Sequence, residues 1–240
     1  MGRAIAQCAL TDPHFTLGAA LEVEGHEAIG LDYGSVLGRP LGDGPAVTGD
    51  ARDALRRGDV LVEFTAPAPT LAHVRLAQTL RKPVVIGTTG LSQSQMAAIR
   101  RAARAIPIVV SPNMSLGVNL LFELSALAAQ RLGASYDIEV VESHHRRKQD
   151  APSGTAKRLV EVLASARKRP AGSIPVHAIR AGDIVGDHTV MLAGPSERLE
   201  LTHRAQSREV FAQGALKAAQ FVARRRPGLY DMSDVLKARL

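Results

Sequence analysis

The sequence predicts an α/β chain whose first half forms a parallel sheet and whose second half forms a smaller α+β region around a mixed sheet. Three observations lead there. Short β-branched runs alternate with amphipathic stretches as far as Asn113, the pattern of parallel βαβ units. After Asn113 comes one long apolar-faced segment and then several strand-like runs broken by glycine. Finally, 240 residues with 45% apolar content are enough to build one large or two modest cores.

In chain order, a helix is expected over residues 3–10 and strands over 15–21, 59–64, 83–86 and 108–111. Between the last two strands, Ser92 and Gln95 have the spacing of a capping box. Met96, Ile99, Ala103 and Ile106 then repeat at near-helical intervals until Pro107 stops the turn. A helix over 117–132 carries Val118, Leu121, Leu124 and Ala128 on one face and ends at Gly133. A strand over 136–142 and a helix over 153–166 follow. Runs at 176–180, 189–192 and 198–203, separated by Gly182, Gly186 and Gly194-Pro195, read as an antiparallel meander. The last helix spans 209–223 and is closed by Pro227-Gly228. The division expected is 1–114 plus 208–240 for one domain and 115–207 for the other, with no internal repeat or low-complexity tail.

Composition narrows the partners. The single cysteine, Cys8, forms no internal disulfide and suits a reducing, cytoplasmic setting; no apolar run has spanning length, so no membrane partner is expected. A net charge of +7 suggests either nucleic acid or a small anion. With 5 Phe, 3 Tyr and no Trp, thinly scattered, there is little for stacked bases, which favours the small anion over nucleic acid. Arginines such as Arg100, Arg101 and Arg104 fall on polar helix faces and account for much of the excess as solvated charge.

Near the start, Gly2 opens a helix and Glu22 stands twenty positions later, the spacing of the second half of a dinucleotide-binding βαβ unit. A helix followed by an edge strand explains the same residues equally well. On the first reading, the central strand and the front of the glycine-rich loop are expected in roughly 10 to 20 further native residues, and strands flanking that position lose ladder bonds on one side.

The most informative stretch runs from Glu142 through His144, His145, Arg146, Arg147, Lys148 and Asp150 to Pro152, Ser153, Gly154 and Thr155. Imidazoles, guanidiniums and an ammonium collect at a strand end, and a helix then opens whose first N–H groups can hold a carboxylate. A solvated or polyanion-binding patch is the competing reading, and an ordinary turn capped by Ser153 is compatible with both. His144 and His145 point to opposite sides of a strand, with no thiol or carboxylate at familiar spacing, so no metal is expected.

That stretch, with Gly87-Thr88-Thr89-Gly90, Asn113, residues 180–186 and residues 228–232, resembles the dihydrodipicolinate reductase family over essentially the whole chain. The resemblance implies a Rossmann-like parallel-sheet domain, lacking its first strand, and a second substrate and tetramerisation domain. The implied activity is reduction of a cyclic imine dicarboxylate with NADH or NADPH in lysine and diaminopimelate biosynthesis. It implies His144 as acid/base, Lys148 as proton donor, and His145, Ser153, Gly154 and Thr155 as holders of the carboxylates. It further implies Gly2, Glu22, Phe64, Thr65, Gly87, Thr88, Thr89, Ser111, Pro112, Asn113, Met114 and Arg208 at the cofactor, and a homotetramer. Net positive charge around His144 and Lys148 is expected to favour their neutral forms until a dicarboxylate arrives. Val23 stands where some family members carry an arginine for the 2′-phosphate, so NADH is expected to serve at least as well as NADPH. Arg147 and Gln149 are departures read as peripheral, and the near-absent phosphate loop bears on pyrophosphate binding. Two rivals remain: a non-catalytic basic binding module, and another two-domain dehydrogenase of amino or oxo acids.

Overall fold

A computed structural model describes residues 1–39 and 44–238. The chain forms two compact units, the first from Met1–Met114 with Phe211–Leu240 and the second from Ser115–Val210. The return to unit 1 therefore falls after Val210, and Arg208 lies in unit 2. Among the described residues, no helix is long and apolar enough to cross a membrane.

Unit 1 opens with α1 (Gly2–Ala9), which buries Ile5, Ala6 and Ala9, one turn's worth of apolar face. Strand β1 (Ala20–Leu21) pairs in parallel with β2 (Val47–Thr48). The expected strand over 15–21 shrinks to its last two residues, because only those meet a ladder partner. Helices α2 (Tyr33–Val36) and α3 (Ala51–Arg57) were not anticipated; Asp32 and Asp50 cap them by accepting from backbone N–H groups.

The larger sheet has the order β10-β5-β4-β3 and is parallel throughout, with β3 (Leu61–Glu63), β4 (Val84–Ile86), β5 (Pro107–Val110) and β10 (Gly228–Tyr230). Val84, Val85 and Ile86 have no exposed surface, as expected of a parallel strand covered on both faces. Its covers include α4 (Pro67–Leu80) and α5 (Gln93–Ala102), which place Val74, Ala77, Ile99 and Ala102 in one core with Val84, Ile86 and Ile108. The Ser92–Gln95 capping box is present in both directions. Residues 227–228, read as a stop, instead lead into β10, because the edge of β5 offers Gly228 to Tyr230 a ladder. In the doubly wound order, the first strand lies between the second and the fourth. Here β1 and β3 belong to separate sheets, and the second edge of each takes no ladder partner among the described residues.

Unit 2 begins with α6 (Leu116–Leu132), capped by Ser115 and ended by Gly133 at φ 66°. Its buried face carries Val118, Leu121, Ser125 and Ala129, whereas Leu124 is exposed. The face is thus set by a spacing of four after Leu121, a rotation of the expected stripe. Strand β6 (Asp137–His144) runs two residues beyond the expected end, because β7 (Val176–Arg180) pairs with it as far as His144. The connection between them is α7 (Gly154–Arg167), so β6, α7 and β7 form a parallel βαβ unit. The expected meander is corrected accordingly. Only β8 (Gly186–Ala193) and β9 (Arg198–Ala205) form an antiparallel hairpin, and the sheet order is β7-β6-β8-β9. Leu121, Ala156, Leu159 and Leu163 from the two helices pack on Val140, Val190 and Leu192 of the sheet.

Helix α8 (Glu209–Val222) crosses the boundary into unit 1, and α9 (Met232–Lys237) follows β10. Within unit 1, a Cβ added at Gly214 would stand 1.8 Å from the Met114 carbonyl oxygen. A glycine inside a helix costs about 1 kcal/mol against alanine, and close backbone approach is what offsets that cost here. Gly214→Ala is expected to destabilise the protein by about 3 kcal/mol or more through overpacking, read as the shift in urea midpoint. An unchanged midpoint would show that the helix can move away freely.

Candidate active site

The buried face of the unit 2 sheet is apolar at one end and polar at the other. Alternation along β6 places Val140, Glu142 and His144 on that face, and β8 places Gly186, His188 and Val190 opposite. Glu142, directly across from His188, has no exposed surface. Its carboxylate accepts from both Arg180 terminal nitrogens at 2.9 and 2.8 Å and from the Ser153 N–H at 3.1 Å, and it meets His144 Nδ1 at 2.5 Å. Burial alone would raise the Glu142 carboxyl, but the hydrogen bonds from Arg180, His144 and Ser153 bring it below its ordinary value. His144 is lowered, first by burial and then by the Lys148 and Arg180 charges, against the pull of Glu142.

The start of α7 closes this polar end. Ser153 is buried, and its hydroxyl accepts from the Ala156 N–H at 3.2 Å while meeting His188 Nε2 at 3.3 Å. Gly154 is exposed and Thr155 half-buried at the helix opening. Lys148 pairs with Asp150 at 2.7 Å, and Arg147 with Asp183 at 3.4 Å. The expectation that neighbouring positive charge favours the neutral form of His144 holds in direction, since Lys148 and Arg180 both lower it, but burial is the larger cause, and Arg180, Lys148 and Arg147 each also stand against a carboxylate.

In unit 1, the other predicted residues collect at the carboxyl ends of parallel strands, where open α/β sheets bind ligands. Phe64 and Thr65 follow β3, Gly87 to Thr89 follow β4, and Ser111 to Met114 follow β5. A Cβ at Gly87 would meet the Phe64 ring at 2.2 Å, so only glycine permits this packing. Glu63, 2% exposed, accepts from the Thr65 N–H at 3.1 Å and from the Thr65 hydroxyl, and meets His73 Nδ1 at 2.6 Å. Thr70 joins that group to Thr88 through hydroxyls 2.9 Å apart. The Ser111 hydroxyl donates to the Asn113 carbonyl at 2.7 Å. Glu22 follows β1, accepting from the Val23 N–H at 2.8 Å. Burial raises the Tyr33 hydroxyl, the Arg3 charge opposes it and the Glu22 charge adds to it, so the α1 start, β1 end and α2 start lie within electrostatic reach. Gly2 is exposed, and no side chain caps α1.

Comparison with known proteins decides the family. The model described as "Dihydrodipicolinate reductase, N-terminus" matches residues 1–114, and "Dihydrodipicolinate reductase, C-terminus" matches 117–236. The 4-hydroxy-tetrahydrodipicolinate reductase of Nitrosomonas europaea is 46% identical over 100% of this chain and 95% of its own. That of Magnetococcus marinus is 45% identical over 98% and 94%. The chain belongs to the dihydrodipicolinate reductase family. It is an NAD(P)H-dependent oxidoreductase. A solved structure, a dipicolinate-bound dihydrodipicolinate reductase from Paenisporosarcina sp. TG-14, shares the fold at TM-score 0.80 and 23% identity over 96% of this chain and 92% of that one.

Within this family member, sequence reasoning assigned no role to Glu142, Arg180 or His188. Glu142 could have been found from its place two residues before His144 on the same strand face; Arg180 and His188 could not, since only strand register brings them there. The group around Glu63, including Thr70 and His73 three apart on α4, was likewise missed. Arg208 is exposed in unit 2, just before α8.

Burial pushes the His188 imidazole down to about 4, with the His144 charge adding. On acidification the unfolded chain takes up this proton first, near 6.5, so stability present above that pH falls as pH drops toward 4. The loss attributable to His188 is about 3 kcal/mol at most, and Glu142 begins to add only below its unfolded value. Urea unfolding at pH 7 and pH 5 should show lower stability at pH 5, with a smaller difference in His188→Gln. Equal pH dependence in both proteins would mean that His188 is not held neutral.

Proposed function

We propose that unit 2 binds the cyclic imine dicarboxylate substrate and supplies its proton, and that unit 1 holds the dinucleotide. Support comes chiefly from the His144 ring, whose Nδ1 meets Glu142, the same carboxylate that accepts from the Ser153 N–H before α7, and whose Nε2 is left free beside Gly186 with the Lys148 charge within electrostatic reach. Gly154 and Thr155 take one carboxylate at the helix start, which Ser153 fixes through its cap, and His145 takes part in holding the other. Lys148 exchanges Asp150 for the substrate and delivers the proton, with His144 as acid/base partner. Cations at this position stabilise the electron density that builds toward the ring nitrogen and carboxylates as the ring is reduced.

The cofactor residues suit NADH or NADPH. Gly87 leaves room for the Phe64 ring at the end of β4, and Arg3 near the α1 start and Glu22 after β1 both act electrostatically on Tyr33. Glu22 would accept from the adenosine ribose, Gly2 would stand at the pyrophosphate, and Phe64, Thr65, Gly87, Thr88, Thr89, Ser111, Pro112, Asn113 and Met114 would line the nicotinamide side. When bound, the reduced cofactor supplies the hydride. The protein acts in the cytoplasm as a homotetramer assembled through unit 2.

Lys148→Ala is expected to lower kcat at least ~100-fold while leaving NADH affinity within about twofold of wild type. Dipicolinate, an aromatic mimic of the ring, should compete with substrate and tighten NADH binding. Equal loss of turnover and cofactor affinity in Lys148→Ala would reduce the lysine to a structural role, and indifference to dipicolinate would favour a different dehydrogenase.

Val23 is 68% exposed beside Glu22 and offers no cation to a 2′-phosphate. The ratio of kcat/KM for NADH to that for NADPH is therefore expected to be one or greater, and Val23→Arg should lower it. A strong NADPH preference in the wild-type protein would contradict this assignment.

A further inference from the structure

We propose that Glu142 is a positioning residue for the reductase: it holds His144 with the proton on Nδ1, leaving Nε2 as the nitrogen that exchanges protons, and Arg180 holds Glu142 in turn. This rests on the reading of His144 as the acid/base group.

The argument begins with acceptor capacity. An ionised carboxylate accepts and never donates, so the imidazole nitrogen 2.5 Å from Glu142 must carry hydrogen. A neutral ring then has its lone pair on Nε2 alone. Nothing among the described residues hydrogen-bonds that atom, and a Cβ at Gly186 would lie 3.1 Å from it, so the glycine leaves its approach open.

Keeping the carboxylate ionised without solvent contact needs donors, and Arg180 gives two in a fork while the Ser153 N–H gives a third. Arg180 is itself fixed by donating to the Ile179 and Asp150 carbonyls at 2.7 and 2.6 Å. The groups facing His144 are Glu142 on its own strand, Arg180 on β7, His188 edge-on from β8 with ring centroids 5.2 Å apart, and Lys148 from the following loop. Of these, only Glu142 hydrogen-bonds the ring and can select its tautomer. The same oxygen pair also seats the first residue before α7, which couples the orientation of His144 to the helix opening that grips substrate.

The test uses the intact enzyme at pH 7.5 with nitrogen-15 histidine NMR, the His144 signals being assigned by their loss in His144→Asn. The wild type should show His144 almost wholly in the Nδ1–H form. Glu142→Gln, which keeps the shape but can donate as well as accept, should populate the Nε2–H form and lower kcat ~10- to 100-fold, with NADH affinity within about twofold of wild type. Glu142→Asp, which keeps the charge, should retain the Nδ1–H form. A kcat loss without a tautomer change would overturn the proposal in favour of a merely structural carboxylate, and so would a tautomer change without kcat loss. Should Glu142→Gln fail to fold, the wild type and Glu142→Asp still decide the matter, since Nε2–H in either refutes it. If the protein reduces no imine dicarboxylate at all, the tautomer readout stands by itself, which separates failure of this inference from failure of the reductase reading.

Discussion

A carboxylate with no exposed surface sits between two strands and a helix start in unit 2, and its neighbours are organised around keeping it charged. Desolvating such a group costs several kcal/mol unless donors replace the lost water. Glu142 finds four: two from Arg180, one from the Ser153 backbone and one from His144. Each of these bonds fixes something else. Arg180 ties the end of β7 to β6, Ser153 begins α7, and His144 acquires one orientation. Removing one member alone strands a buried charge, at about 3–5 kcal/mol. A well-packed apolar replacement of the whole group would often be no less stable, so retaining it is better explained by the chemistry that it positions.

Precision at this site comes from the sheet beneath it. Val140, Val190 and Leu192 fill the buried face two to four residues along the strands from Glu142 and His188, so the polar end rides on a close-packed apolar one. Side chains on paired strands are held more tightly than those on loops. His144 and Glu142 belong to the first kind, and Lys148, on the loop after β6, to the second. Lys148 pairs with a half-exposed carboxylate, Asp150, an interaction weak enough to be exchanged for a ligand.

What the sequence revealed was local, and what it concealed was long-range. The Ser92–Gln95 box, the Ser153 cap and the stop at Gly133 depend on contacts within a turn, and the residues that form them are the ones expected. The pairing of β7 with β6 depends on a crossover through α7, and glycines at 182 and 186 give no hint that the run before them turns away from the run after. Register hid half of the site for the same reason: Glu142 meets His188 across one ladder and shares a carboxylate bond with Arg180 across another, both distant in sequence. The resemblance carried His144 and Lys148, but Glu142, the acid that meets His144, was given no role although it stands at the front of the same string. Strand 15–21 failed differently. Its residues have β character, yet a strand exists only where a partner accepts its ladder, and β2 meets only Ala20 and Leu21.

Unit 1 uses a buried carboxylate too, and the contrast explains what each is for. Glu63 is held by the Thr65 backbone and hydroxyl and by His73, with Thr70 bridging to Thr88, so it braces the loops after β3 and β4. Its donors are neutral hydroxyls, a backbone N–H and an imidazole. Glu142 is instead gripped by a guanidinium, charged at every accessible pH. His73 sits on a helix behind the brace, whereas His144 stands at the end of a strand with its far nitrogen left open by Gly186. In the proposed reading, the same acid–imidazole contact serves architecture where neutral hydroxyls and a backbone N–H share the acid, and proton transfer where a permanent cation fixes it and a glycine stands beside the ring nitrogen that the acid leaves free.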